Sequence, residues 1–478
     1  MYIGLDLGTS GLKGILIDEG QRVLAEASAP LTVSRPHEGW SEQSPADWIA
    51  AAEAVMDQLA AQGLAGVKGI GLSGQMHGAT LLDGSDEVLR PCILWNDTRS
   101  HAEATELDAD PRFRAITGNI VFPGFTAPKL AWVARHEPAI RARVARVLLP
   151  KDYLRLWLTG EHVAEMSDAA GTSWLDVGAR DWSDELLAAT DLTREAMPRL
   201  VEGSAVSGEL RPALAARWGL PQRVVVAGGG GDNAASAVGV GVVRAGEAFV
   251  SLGTSGVLFA ATDGYQPAPE TAVHTFCHAL PEAWHQMGVI LAATDALNWY
   301  ARLVGQEARV LTGDLGALQA PGRALFLPYL GGERTPLNDA AIRGAFTGLE
   351  HATDRAAGTR AVLEGVTFAI RDCRDALAAT GTRLESLLAV GGGSRSDYWL
   401  SAIATALDVP VLLPAAGDFG GAFGAARLAL MAATGAGAEI ATLPPIARTI
   451  PPERGLTSAF DDAHARYRAA QTAIRSLT

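Results

Sequence analysis

Two acidic residues and two near-identical turns hold the chemistry that this chain can do. Asp6 opens Asp6-Leu7-Gly8-Thr9-Ser10-Gly11, and the turn returns as Ser251-Leu252-Gly253-Thr254-Ser255-Gly256. A Gly-Thr-Ser-Gly tip between apolar, β-rich stretches is a hairpin that presents backbone N–H groups and hydroxyls. One tip opens each half of the chain, so the pair can grip a polyphosphate from opposite sides. A carboxylate at position 6 suits Mg²⁺ held largely through water, because Mg²⁺ prefers oxygen ligands and dehydrates reluctantly. Thr9, Ser10 and Gly11 then offer donors to phosphate oxygens, and Lys13 adds a point charge. Taken alone, Asp-x-Gly is also an ordinary solvated turn. The echo at Gly253-Thr254 favours the phosphate reading.

Asp232 is the second carboxylate of interest. It follows Gly228-Gly229-Gly230-Gly231 and precedes the small-residue run Asn233-Ala234-Ala235-Ser236-Ala237-Val238. Glycines let a ligand approach the backbone, and small residues let a helix pack near a cleft. An N-cap role fits the position equally well. The two roles are compatible: an ionised carboxylate at a helix start can take a proton from a substrate hydroxyl. Gln75-Met76-His77-Gly78 ends a buried strand, where open α/β sheets bind ligands. Trp95-Asn96-Asp97 ends another and can complete a polar sugar pocket. Gly391-Gly392-Gly393-Ser394-Arg395-Ser396 lacks the sixth glycine of a dinucleotide fingerprint, so it reads as a loop beside a nucleotide base or phosphate. His274, Cys277, His278 and His285 lie close in sequence. Strand alternation and the lack of a C-x-x-C pair argue against zinc there.

The elements that must position these residues alternate between strand and helix. Strands are expected at 2–7, 12–17, 22–30, 67–73, 79–82, 224–227, 324–326 and 387–390. A helix follows Ser44 as cap, with Pro45 at its first position. Others are expected at 397–407, from Gly420 onward, and as a closing helix at 458–477. This alternation is that of an α/β protein. Two domains are expected, 1–243 and 244–478, with a helical insertion at about 98–190 in the first.

A length of 478 residues and 48% hydrophobic content allow two large cores. The net charge of −14 argues against nucleic-acid or anionic-membrane partners. Three scattered cysteines suggest reduced thiols rather than a disulfide framework. Asp6 and Lys13 interrupt any signal-peptide core, and no apolar run approaches the roughly 20 residues of a membrane helix. A cytoplasmic protein is expected.

Several segments resemble the FGGY carbohydrate kinases, from Met1 to about Leu430. One signature is matched by Gly124-Phe125-Thr126-Ala127-Pro128-Lys129-Leu130-Ala131-Trp132-Val133. The other is matched by Gly344-Ala345-Phe346-Thr347-Gly348-Leu349 and Ala361-Val362-Leu363-Glu364. Ala357-Gly358 departs from the pattern, which expects an acidic or amide residue and then an apolar one. Gly74-Gln75-Met76-His77-Gly78, Pro150-Lys151-Asp152, Met166-Ser167-Asp168 and Gly230-Gly231-Asp232-Asn233 look like the subgroup that phosphorylates D-xylulose. Glycerol-acting members carry an Arg-Glu pair at the positions of Met76 and His77.

The resemblance implies two ribonuclease-H-like (actin/hexokinase-like) domains flanking a catalytic cleft, with ATP and Mg²⁺ as cofactors and a possible homodimer. It implies Asp232 as general base and Asp6 as the acid near Mg²⁺. Met76, His77, Asp232 and Asn233 would line the sugar. Thr9, Ser10, Lys13, Gly253 and Thr254 would meet phosphates, and Gly392, Gly393, Asn298 and Asp397 would lie along the nucleotide. A kinase for ribulose, gluconate or another polyol is the nearest alternative. A non-kinase actin-like ATPase is the more distant one.

Overall fold

The computed structural model describes residues 1–415 and 420–477. The first sheet is built from β1 (Tyr2–Leu7), β2 (Gly11–Ile17), β3 (Val23–Pro30), β4 (Gly69–Gly74), β5 (Val206–Glu209), β6 (Val225–Ala227) and β7 (Gly230–Gly231). Its order is β5-β6-β4-β1-β2-β3, with β7 added to the far end of β4. The second sheet uses β8 (Glu247–Leu252), β9 (Gly256–Thr262), β10 (His274–Cys277), β11 (Trp284–Ile290), β12 (Ser386–Val390), β13 (Val411–Pro414) and β14 (Ile446–Ile450). Its order is β10-β11-β9-β8-β12-β13-β14. In both sheets a hairpin strand has its antiparallel partner on one side and a parallel strand on the other. The repeated turns are therefore the tips of two equivalent hairpins, β1–β2 and β8–β9.

The helices that matter here are α1 (Pro45–Ala60), α2 (Thr126–His136), α3 (Pro150–Thr159), α4 (Asp232–Val240), α5 (Thr294–Leu303), α6 (Arg355–Ala379), α7 (Asp397–Leu407), α8 (Gly421–Thr434) and α9 (Thr457–Arg475). Strand periodicity decides which face of β1 meets which helix. Ile3, Leu5 and Leu7 share a core with Trp48, Val55 and Leu59 of α1. Tyr2, on the opposite face, packs with Ala422, Ala426 and Ala429 of α8. Asp6 has the parity of Tyr2, so it faces the start of α8.

Two helices run between the sheets. α8 comes from the second half of the chain yet lies on the first sheet. α4 comes from the first half, and its Ala237 and Val240 share a core with Phe249, Phe259 and Leu388 of the second sheet. Glycines bring these layers together. A Cβ on Gly4 would lie 1.8 Å from Ala422 O, on Gly71 1.9 Å from Ala425 O, and on Gly424 1.7 Å from Ala235 O. Backbone touches backbone through the middle of the molecule, and α4 and α8 both begin at the cleft.

Three local expectations need correction. Ser44 is extended at the start of α1, but its hydroxyl makes no capping bond; Pro45 alone marks that end. Asp232 is not the N-cap of α4. Gly231 holds that place, and Asp232 is the first helical residue. The closing helix begins at Thr457. Among the described residues, no helix is long and apolar enough to cross a membrane.

Candidate functional site

The two hairpin tips are tied down by their carbonyls. Thr9 O accepts from Gln43 Nε2 at 2.7 Å, and Ser10 O accepts from Leu31 N at 2.9 Å. In the second tip, Gly253 O accepts from Thr294 N and Oγ1, and Thr254 O accepts from Ala293 N at 2.8 Å. The N–H groups of Thr9, Ser10, Thr254 and Ser255 donate to no backbone group among the described residues. Carbonyls turned inward and amides left over make an anion-binding concavity. The Thr9 hydroxyl belongs to the protein instead: it donates to Gln75 Oε1 and accepts from Trp95 Nε1, both at 3.0 Å. Only the Thr9 amide is left for phosphate.

Asp6 and Asp232 stand at the ends of β1 and β7, parallel strands on either side of β4. Asp6 pairs in register with Ser73, Ser73 with Gly230, and Gly231 leads directly into Asp232. Asp6 Oδ1 accepts from Ser73 Oγ at 2.8 Å. Burial raises the Asp6 carboxyl above its ordinary range, against the pull of Ser73 and Lys13. The α8 N-terminus abuts it so closely that a Cβ on Gly421 would lie 2.9 Å from Asp6 Cγ. Asp232 Oδ1 accepts from Asn233 N at 2.7 Å and from Asn233 Nδ2 at 2.9 Å. Burial, and then the charge of Asp6, push the Asp232 carboxyl up to about 6. That is a suitable range for a base working near neutrality.

A buried charge cluster holds the loop before Asp232. Ser167 Oγ accepts from Gly231 N at 3.0 Å. Arg155, on α3, donates to Ala227 O and Gly228 O, each at 2.6 Å. Behind them Lys151 pairs with Asp152 at 2.8 Å, Asp168 at 2.9 Å and Glu165 at 3.4 Å, all fully buried. Three carboxylates face two cations, and burial raises Asp168 well above its ordinary value. Lys151, Asp152, Ser167 and Asp168 stand out in the sequence only as family-like segments; their shared task appears once α3 and the 165–168 turn meet.

Met76 and His77 lie beside this loop. A Cβ on Gly231 would touch Met76 at 3.0 Å, and one on Gly171 would meet the His77 ring at 2.4 Å. His77 sits in left-handed backbone at φ 70°. That costs about 1–2 kcal/mol. Its carbonyl is pinned by Lys129 Nζ at 2.8 Å and Thr126 Oγ1 at 3.1 Å, both from α2. Burial brings the Lys129 ammonium down to about 7. His77 Nδ1 lies 2.7 Å from Gly171 O, and since a carbonyl only accepts, the ring proton is on Nδ1. Burial and the nearby Lys129 charge pull the imidazole down to about 3. Nε2 is therefore a neutral acceptor, able to take a hydrogen bond from a sugar hydroxyl.

The nucleotide candidates gather elsewhere. Asn298, Gly392, Gly393 and Asp397 line one cavity of about 700 Å³, joined by Thr294, Arg309, Arg395 and Tyr398. Asp397 is also paired with Arg448. A second cavity of about 700 Å³ lies between α4 and β8, lined by Asn233, Ser236, Phe249, Ser251 and Arg395. Ser251 occupies in β8 the place of Asp6 in β1. The two cavities meet at Arg395 and the Gly391–Gly393 turn, beside the second hairpin tip.

Asp97 is a correction. It is 1% exposed and receives Arg99 in a two-pronged ion pair plus Ser41 N, so it braces the strand end and does not line the cleft. Trp95 remains at the cleft mouth, 48% exposed and bonded to Thr9. Lys13 pairs with Glu26 at 3.2 Å, from the strand position opposite Asp6. The histidines near 280 are buried among aromatic rings: His285 stacks on Phe259, and His274 lies against Phe122, Phe125 and Phe276.

Two equivalent hairpin-led sheets with opposed tips define a two-domain α/β protein of the actin/hexokinase-like class. Models of the FGGY family of carbohydrate kinases match its two parts, the N-terminal domain over residues 1–239 and the C-terminal domain over 248–433. The chain belongs to the FGGY family of carbohydrate kinases. The xylulose kinase of Escherichia coli (strain K12) is 52% identical over 448 residues, 93% of this chain and 92% of that one. A structure from Brucella ovis, described as a xyloylose kinase, is 65% identical with TM-score 0.99 over 100% of both chains. The xylulose kinase of Rhodospirillum rubrum is 31% identical with TM-score 0.93, covering 100% of this chain and 99% of its own.

Proposed function

We propose that the protein transfers the γ-phosphoryl group of ATP to O5 of D-xylulose, giving D-xylulose 5-phosphate for pentose catabolism in the cytoplasm. The observation that carries the reading is Asp232: a half-buried carboxyl brought to about 6, with no hydrogen bond to Oδ2 among the described residues, close to the charge of Asp6. Identity of 52% and 65% to proteins named for xylulose phosphorylation supports the choice of sugar.

Phosphoryl transfer passes through a loose transition state, so positioning and charge neutralisation supply most of the rate. The amides of Thr9, Ser10, Thr254 and Ser255 would hold phosphate oxygens from the two sides. The adenosine would occupy the cavity at Asn298, Gly392, Gly393 and Asp397. Asp232 Oδ2 would accept the O5 proton as the new bond to phosphorus forms, and general-base help of this kind is worth about 10²–10⁴-fold. His77 Nε2 would orient the sugar by accepting from one of its hydroxyls. Asp6 fits a hard divalent cation: its Oδ2 makes no hydrogen bond among the described residues, and burial makes an unbalanced charge costly there. Mg²⁺, when bound, would neutralise charge on the phosphates.

The test is ADP release measured by a coupled assay with D-xylulose, D-ribulose, gluconate and glycerol, and without sugar. The reading expects D-xylulose to give the highest kcat/KM. A clear preference for another acceptor, or turnover indifferent to sugar, would reject it.

A further inference from the structure

Near His77 stands a cation that forms no ion pair among the described residues, although the charge of Glu333 is felt there. Arg334 lies on a short loop in the second half of the chain. Glu333 N donates to Asp339 O at 2.8 Å, and Glu333 Oε1 accepts from Arg334 N at 2.8 Å and Leu291 N at 3.0 Å. Thr335 N donates to Val289 O at 3.0 Å, and its hydroxyl donates to Ala272 O at 2.9 Å. The loop is thus pinned to the second sheet. Its guanidinium stands over the ring of Phe122, from the first half, 4.7 Å from the centroid. Among the described residues the guanidinium makes no hydrogen bond or ion pair. Both backbone amides bond Oε1 of Glu333, and that carboxylate attracts the guanidinium without a hydrogen bond to it.

A chain of contacts places this guanidinium relative to Asp232. Gly231, next to Asp232, abuts Met76; Met76 and His77 both abut Gly171. His77 stacks on Phe125 at 4.6 Å, Phe125 meets Phe122 at 5.6 Å, and Phe122 carries Arg334. Through Phe122 and Phe125 the cation is linked to the His77 side of the site. Its charge is still felt at His77 and His274, where it adds to burial in disfavouring protonation. A guanidinium offers five N–H donors and no acceptor. Held half-buried without a partner, it is a site prepared for acceptor oxygens.

We infer that Arg334 is a specificity-determining residue that donates to the C1–C2 end of the sugar, the ketone oxygen above all, while O5 faces Asp232. This rests on the ketose-kinase reading proposed above. A ketone oxygen only accepts and matches a group that only donates. A pentitol carries a C2 hydroxyl, a weaker acceptor with its own hydrogen to place. Arg334 thereby favours the ketose over its reduced form.

The experiment compares wild type, Arg334→Met and Arg334→Lys on D-xylulose and on the pentitols xylitol and D-arabinitol. KM for MgATP and the melting temperature are recorded beside them. Arg334→Met is expected to raise KM for D-xylulose by about 10- to 100-fold, the range for a hydrogen bond to a charged group. The preference for ketose over pentitol should shrink by a similar factor, with kcat and KM for MgATP nearly unchanged. Arg334→Lys keeps the charge but loses the fork and should fall between. If Arg334→Met does not fold, the lysine variant alone decides. Phe122→Leu, which removes the ring and leaves the guanidinium, should keep more of the ketose preference than Arg334→Met. An unchanged ketose-to-pentitol ratio, or an equal loss of kcat on all sugars, overturns the inference. A wild type inactive on D-xylulose sinks the functional reading and this inference together.

Discussion

Gly424→Ala tests whether the helix pair α4 and α8 sets the geometry of the cleft. The added methyl would lie 1.7 Å from Ala235 O, 2.6 Å from Ala235 C and 2.9 Å from Gly239 N, where real Cβ atoms essentially never come under 3.0 Å. Every one of those atoms is backbone, so no rotamer change relieves the clash. The helices must separate by about 1.3 Å or more, a distance that a close-packed interior cannot absorb. Overpacking of this kind costs about 1–3 kcal/mol. At about 2–4 °C per kcal/mol for a large domain, the melting temperature falls by several degrees. The rate should suffer more than the fold. α4 begins with Asp232, and α8 begins against Asp6, so widening their crossing moves both carboxylates. A misplacement of about 1 Å costs about 10²-fold in rate. The assay is steady-state kcat with D-xylulose and MgATP beside a thermal melt. Gly455→Ala serves as control, because its added methyl meets nothing within 4 Å. Wild-type kcat and melting in Gly424→Ala would refute the claim that this contact sets the site.

Asp232 must be deprotonated to accept the sugar's proton, so kcat/KM for sugar should rise with pH through about 6, level off above it, and fall tenfold per unit below. Asp6→Asn removes the second cause of the upward shift and should move that limb to lower pH; a limb that stays put would separate the two carboxylates. Ser167→Ala leaves Gly231 N without its acceptor in a buried loop, a loss of about 1–3 kcal/mol. It should lower kcat more than it raises either KM, and equal changes in all three would point to general unfolding.

What the sequence made legible follows from where each interaction partner sits along the chain. The hairpin tips are local, and their Gly-Thr-Ser-Gly spelling repeats, so Thr9, Ser10, Gly253 and Thr254 are visible without a fold. Strand ends at Gly74 and at Val390 are equally local, and they pointed to Met76, His77, Gly392 and Gly393. Asp97 misled because a polar residue at a strand end looks the same whether it faces a ligand or Arg99, two residues further on. The N-cap assignment of Asp232 slipped by one residue because four glycines leave the helix start without a side-chain marker. Long-range pairings leave no local trace. Nothing near Gly421 says that α8 crosses to β1. Nothing near Ser167 names Gly231, and Arg334 lies more than 200 residues from Phe122.

The measurement that bears most directly on the account is turnover and sugar binding in Asp232→Asn. Removing the proton acceptor while keeping its shape should lower kcat by about 10²–10⁴-fold. D-xylulose should still shift the melting temperature of the variant, since His77 and Arg334 are intact. A variant that turns over at nearly the wild-type rate would contradict the role given to Asp232.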